Sequence, residues 1–222
     1  LEDGRVYLQN ASSLLPVAAL DPQPGDRVLD VAAAPGGKAF HIAARTGNEG
    51  ELWLNDGNPQ RAAHLGELAQ VYGVRVTRLT SHPAQYLDKY LGAGETFDRI
   101  LLDVPCSGTG VIRRHPDIKL LRRADDIGRF AAQQAALLRS CWGLLAPGGR
   151  LVYASCSVLS AENAGVVGSF LAGKPAAVDS TESARLSLPG ALPWRISGPG
   201  SALPSGAADA DGFYYACLEK RA

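Results

Sequence analysis

The sequence predicts an α/β fold in which a mostly parallel sheet is covered by helices on both faces. Three observations carry that expectation. Short aliphatic and β-branched runs alternate with longer segments of helical periodicity. The chain has 222 residues, 46% of them hydrophobic, which suits one large domain with a substantial core. The clearest helical pattern is stopped by Ala146-Pro147-Gly148-Gly149 immediately before a new apolar run.

Taken in order, the runs at 27–32, 51–55, 74–79, 98–104 and 150–155 read as strands. The segments 37–45, 59–72 and 125–145 read as helices. In the last helix Ile127, Phe130, Ala131, Ala135, Leu138, Cys141, Trp142 and Leu145 recur at three- and four-residue spacing, which marks one apolar face. Residues 179–210 are rich in Ser, Ala, Pro and Gly and predict a long surface loop. Residues 212–219 then predict a final strand that returns antiparallel to its neighbours. No internal repeat divides the chain, so 1–222 is expected to be a single domain.

Lysine plus arginine equal aspartate plus glutamate at 22 each, so the global charge selects no partner. No apolar run approaches the length of a bilayer crossing, and no membrane association is expected. The four cysteines, Cys106, Cys141, Cys156 and Cys217, contain no CxxC pair. That pattern argues against a zinc site or a disulfide framework and suits a reducing cytoplasm. The chain opens at Leu1 and has no methionine, so it is expected to be a fragment that lacks an upstream domain.

After the first strand comes Asp30-Val31-Ala32-Ala33-Ala34-Pro35-Gly36-Gly37-Lys38, a run of small residues where a strand hands over to a helix. In an open α/β sheet, ligands sit at such strand ends, and small residues let backbone approach them. Ala32 and Ala39 stand where a P-loop needs Gly and Ser or Thr, and G-x-G-x-x-G is absent. A tight structural turn is the alternative. Asp56 closes the second strand within Asn55-Asp56-Gly57-Asn58-Pro59-Gln60-Arg61, and its carboxylate is placed to accept from two ribose hydroxyls. Equally, an Asp opening a helix is often a cap.

The fourth strand runs into Asp103-Val104-Pro105-Cys106-Ser107-Gly108 and the fifth into Tyr153-Ala154-Ser155-Cys156-Ser157. Parallel strands end at one edge, so two thiols and a carboxylate converge beside the small-residue turn. Cys141 and Cys217 read as apolar fillers of the core.

These segments, 28–38, 100–119 and 151–163, resemble three signature stretches of the RNA cytosine-5 methyltransferases, also called the Sun or Fmu family. The run from Pro105 through Arg113-Arg114-His115-Pro116-Asp117-Ile118-Lys119 looks most like the branch that modifies small-subunit ribosomal RNA. Gln9-Asn10-Ala11-Ser12-Ser13 and Asp211-Gly212-Phe213-Tyr214-Tyr215 are similar to its opening and closing segments. The resemblance implies a Rossmann-like sheet of seven strands, with S-adenosylmethionine over residues 32–38 and its ribose at Asp56, near Arg61. It implies Cys156 as nucleophile, Cys106 as the thiol that assists product release, and Asp103 beside both cofactor and base. Where the family usually carries an aspartate facing the adenine, this chain has His82 in Thr80-Ser81-His82-Pro83. A histidine offers one ring acceptor when neutral and none when protonated.

Carbon 5 of cytosine is a weak nucleophile, and a thiolate added at carbon 6 activates it. Lys38 is a candidate for stabilising that thiolate. Asp103 could hydrogen-bond the N3 edge of the base, and the base must be single-stranded or extruded to enter. The cluster Arg113, Arg114, His115, Lys119, Arg122 and Arg123 would attract a phosphate backbone, unless it is an ordinary solvated face. The chain is expected to act as a monomer without metal. A DNA cytosine-5 methyltransferase also uses a Pro-Cys thiol, but the second strand-end cysteine favours RNA. An RNA-binding assembly factor with a decayed pocket would rest on His82, and cofactor calorimetry separates it from an enzyme. A small-molecule methyltransferase leaves the paired cysteines without a use.

Overall fold

The computed structural model describes residues 6–92, 94–185, 199–203 and 211–221. A first helix, α1 (Ala11–Leu20), precedes β1 (Arg27–Asp30), α2 (Gly37–Thr46), β2 (Glu51–Asn55), α3 (Pro59–Val71) and β3 (Arg78–Thr80). The short α4 (Leu87–Tyr90), β4 (Phe97–Asp103), the short α5 (Ile118–Leu121), α6 (Ala124–Leu144) and β5 (Leu145–Ser155) follow. Next come α7 (Ala164–Ala172), β6 (Ala177–Asp179), α8 (Thr181–Arg185), β7 (Ser201–Leu203) and β8 (Phe213–Lys220).

All the described strands join one sheet in the order β3-β2-β1-β4-β5-β8-β6, with β7 also paired to β8. The pairs β1–β2, β1–β4, β2–β3 and β4–β5 are parallel. The last strand, β8, runs antiparallel to β5, as the sequence predicts. Its outer edge is shared, because β6 pairs with residues 218–220 and β7 with residues 213–215. Seven strand positions therefore carry eight segments. The fold class is the Rossmann-like one.

Each central strand is apolar on both sides, as a sheet covered twice requires. Val28, Leu101, Val152 and Cys217 point to the face covered by α1, α2, α3 and α8, through Leu15, Phe40, Leu65 and Ala184. Leu29, Ile100, Leu102, Leu151 and Leu218 point to the other face, against Leu87, Leu138, Cys141 and Phe170. Fully burying one such side chain contributes roughly 1.5–3 kcal/mol. Cys141 and Cys217 are the core fillers expected, fully buried, and burial pushes the Cys141 thiol up to about 12.

Three boundaries differ from expectation. The 74–79 strand begins late, because the Val74 amide closes α3 by donating to Ala69 O at 2.8 Å, and regular pairing starts only at Arg78 opposite Trp53. In β5 the ladder steps from Leu145 opposite Phe97 to Arg150 opposite Arg99, so residues 146–149 bulge out where the turn residues stand. The 179–210 segment contains α8 and β7, while residues 186–198 and 204–210 lie outside the described residues.

Candidate active site

The carboxyl ends of β1, β2, β4 and β5 meet at one edge and carry nearly every residue singled out from the sequence. Gly36, at φ 116°, opens α2 from a backbone conformation that disfavours side chains. It turns residues 32–35 across the strand end and delivers Lys38 into the first turn of α2. Asn55 fixes the neighbouring loops, although it was not singled out from the sequence. Its Nδ2 donates to Val31 O at 3.0 Å and His82 O at 3.1 Å, and its Oδ1 accepts from Thr80 Oγ1 at 2.9 Å and His82 N at 3.0 Å. One fully buried amide thereby ties the ends of β1, β2 and β3 together.

A cavity of about 540 Å³ opens there, lined by Ala32, Ala34, Asp56, Gly57, Arg61, Pro83, Ala84, Gln85, Asp103, Cys106 and Cys156, among others. Asp56 is 2% exposed, and its Oδ1 accepts from Asn58 N at 2.9 Å and from Arg61 Nη2 at 2.9 Å. Its Oδ2 has no partner among the described residues, so a polar ligand can take it. Ala33, Pro35, Gly37 and Lys38 line a second space of about 340 Å³, together with Asn10 and Arg114. Ala32, Ala34 and Asp103 border both spaces. Gly36 lines neither. The His82 ring does not line the larger cavity; it stacks on Tyr90, centroids 4.4 Å apart, and Pro83, Ala84 and Gln85 stand in its place.

The two strand-end thiols are in contact, Cys106 Sγ to Cys156 Sγ at 3.2 Å, and both are partly exposed. Lys38 Nζ pairs with Asp103 Oδ2 at 2.7 Å. The hydrogen bond with Cys106 holds the Cys156 thiol below its usual range, and Lys38 adds to the shift against burial and Asp103. That same contact, together with burial, pushes Cys106 up. Either sulfur can donate in this contact, and the charge of Lys38 favours the arrangement in which Cys106 donates. Beneath the loop, fully buried Asp30 is pushed up to about 7 by burial, with Lys38 opposing.

Glu162 organises this edge and was missed in the sequence. It is fully buried; Oε1 accepts from Ser107 N at 2.8 Å, and Oε2 accepts from Ser107 Oγ and Ser157 Oγ at 2.6 Å each. Gln134 Nε2 on α6 also reaches Oε1 at 3.2 Å and Pro105 O at 2.9 Å. One carboxylate thus clamps the residue that follows each cysteine. Two exposed arginines of the basic segment also bond to the fold: Arg122 Nε donates to Ser107 O at 2.9 Å, and Arg114 pairs with buried Asp211. Lys119 and Arg123 are exposed. Among the described residues no group of His, Cys, Asp or Glu could hold a metal, and no helix is long and apolar enough to cross a membrane.

A family model described as 16S rRNA methyltransferase RsmB/F matches residues 17–219. The chain belongs to that family. It is 42% identical over 222 residues to ribosomal RNA small subunit methyltransferase B of Salmonella arizonae, covering 99% of this chain and 48% of that protein. It is 43% identical over 219 residues to the protein of the same description from Vibrio cholerae, covering 99% and 47%. The chain therefore spans about half the length of these curated relatives. Among solved structures it resembles NSun6 from Pyrococcus horikoshii with SFG, at 28% identity and TM-score 0.81, covering 99% of this chain and 54% of that one. A methyltransferase homolog from the same organism matches at 29% identity and TM-score 0.81, covering 99% and 69%.

Proposed function

We propose that this chain transfers a methyl group from S-adenosylmethionine to carbon 5 of a cytosine in 16S ribosomal RNA, through a transient bond between Cys156 Sγ and carbon 6. The observation that carries the proposal is the contact of two strand-end thiols beside a lysine and a carboxylate, at the mouth of a cavity that reaches Asp56. The residues suit the cofactor: small side chains at Ala32 and Ala34 leave room, and the buried Asp56 keeps one oxygen for ribose hydroxyls. S-adenosylmethionine supplies an electrophilic methyl group on a sulfonium.

The chain's residues do the rest. Cys156, held toward thiolate by the Cys106 S–H and by Lys38, forms the S–C6 bond and pushes electron density onto carbon 5. Asp103 holds one proton between its Oδ1 and N3 of the base, while Lys38 balances the carboxylate from Oδ2. After carbon 5 has gained the methyl group, its proton passes to water in the cavity and the S–C6 bond breaks, returning its electron pair to Cys156 Sγ. Cys106 then donates to the departing sulfur, as it does to the resting thiolate. Exposed Lys119 and Arg123 contact RNA phosphates, and His82 acts only through its neighbours Pro83, Ala84 and Gln85. The protein works in the cytoplasm as a monomer.

The test compares single variants with target RNA and cofactor on a denaturing gel. Cys156→Ala should abolish methylation and any covalent protein–RNA species. Cys106→Ala should permit attack but slow elimination, so an adduct should accumulate. An adduct formed by Cys156→Ala and lost in Cys106→Ala would reverse the two roles and sink this assignment.

A further inference from the structure

Two free thiols in contact, next to a cation and open to a cavity, form a pair with chemistry of its own. Cys106 and Cys156 lie 3.2 Å apart, against a disulfide S–S distance of about 2.05 Å, so a shift of about 1 Å would join them. The backbone already holds their loops in place. Glu162 bonds both Ser107 and Ser157, and Gly110 N donates to Cys156 O at 2.8 Å. Both thiols line the 540 Å³ cavity, whereas Cys141 and Cys217 are fully buried.

We propose that the Cys106–Cys156 pair is a peroxide-reactive modification site that closes to a reversible intramolecular disulfide. It rests on the assignment of Cys156 as the resting thiolate. Cys156 Sγ attacks a hydroperoxide oxygen, so an S–O bond forms, the O–O bond breaks, and water or an alcohol leaves with one proton. Cys106 then attacks the Cys156 sulfenic sulfur: the S–S bond forms, the S–O bond breaks, and hydroxide leaves as water with the Cys106 proton. The two sulfurs lose two electrons and the peroxide oxygens gain them. A neighbouring thiol at this distance diverts the sulfenic acid from irreversible sulfinic acid. The methyl-transfer site is thereby silenced while closed, and a dithiol reductant reopens it.

The test needs neither RNA nor cofactor, so its failure is separable from failure of the methyl-transfer reading, which is assayed under reducing conditions. The chain is treated with hydrogen peroxide, quenched with catalase, and denatured in N-ethylmaleimide. Adducts should fall from the four that the cysteine content allows to two, with the loss of two hydrogens and a Cys106–Cys156 linked peptide. Dithiothreitol should restore all four. Cys106→Ser should give no linked peptide and should instead carry dimedone-reactive, then sulfinic, Cys156. Wild-type protein that shows Cys156 sulfinic acid with Cys106 still alkylated would overturn the proposal. So would four adducts after exposure that fully oxidises glutathione, or a linkage through Cys141 or Cys217.

Discussion

Lys38 is the residue on which the two strand-end loops depend electrostatically. Burial works against its charge, yet Asp103, Asp30 and Cys156 together raise its pKa, so it stays protonated. Replacing Lys38 with Met removes the cation that lowers Cys156 and leaves Asp103 unpaired, and both changes push the thiol up. The pH midpoint of Cys156 alkylation by iodoacetamide should therefore move higher in the variant. Methyl transfer should fall by about a hundredfold, the scale for losing one preorganised charged contact. An unmoved midpoint would mean that Lys38 serves only Asp103. The cysteines and Asp103 were legible in the sequence because polar turns at parallel strand ends must converge. Glu162 and Asn55 were not, because what marks them is the set of hydrogen-bond partners from other segments that they collect in the folded state.

At the scale of elements, the loops after β4 and β5 and the start of β8 meet at Gly110. A Cβ there would lie 2.1 Å from Gly212 O and 2.7 Å from Cys156 O, both of them backbone atoms. Gly110→Ala must therefore part the two thiol loops, at a cost of about 1–3 kcal/mol or more. A lowered urea midpoint with an unchanged m-value is the expected result. A neutral substitution would mean that the three segments separate easily. The long central strands and α6 were readable from their apolar runs and their helical spacing. By contrast α7, Ala-Gly-Val-Val-Gly-Ser-Phe-Leu-Ala, has no polar face to give a period, and Pro16 lies inside α1. Strands of three residues, such as β6 and β7, are too short to show any alternation.

For the molecule as a whole, Asp30 sets a pH dependence of stability. Its carboxyl holds a proton up to about 7 in the fold but releases it near 3.8 when unfolded. Between those values the native state binds more protons, so this residue's contribution falls as pH rises from about 4 to about 7 and is constant above. Asp30→Asn should remove that slope, leaving the variant relatively more stable at pH 8 than at pH 5, by about 3 kcal/mol. Equal differences at both pH values, from urea unfolding, would show that Asp30 is ionised throughout.

The two ends of the described chain are joined at another acid. Asn10 Nδ2 donates to Asp211 Oδ2 at 2.9 Å, Ser12 Oγ donates to Asp211 O at 3.1 Å, and Arg114 pairs with the same carboxylate. Closing a loop of that length carries an entropic cost that only a nearly finished fold can offset. The junction is therefore expected to form late in folding, so that Asn10→Ala should raise the unfolding rate more than it lowers the folding rate. It is a latch on the lifetime of the native state.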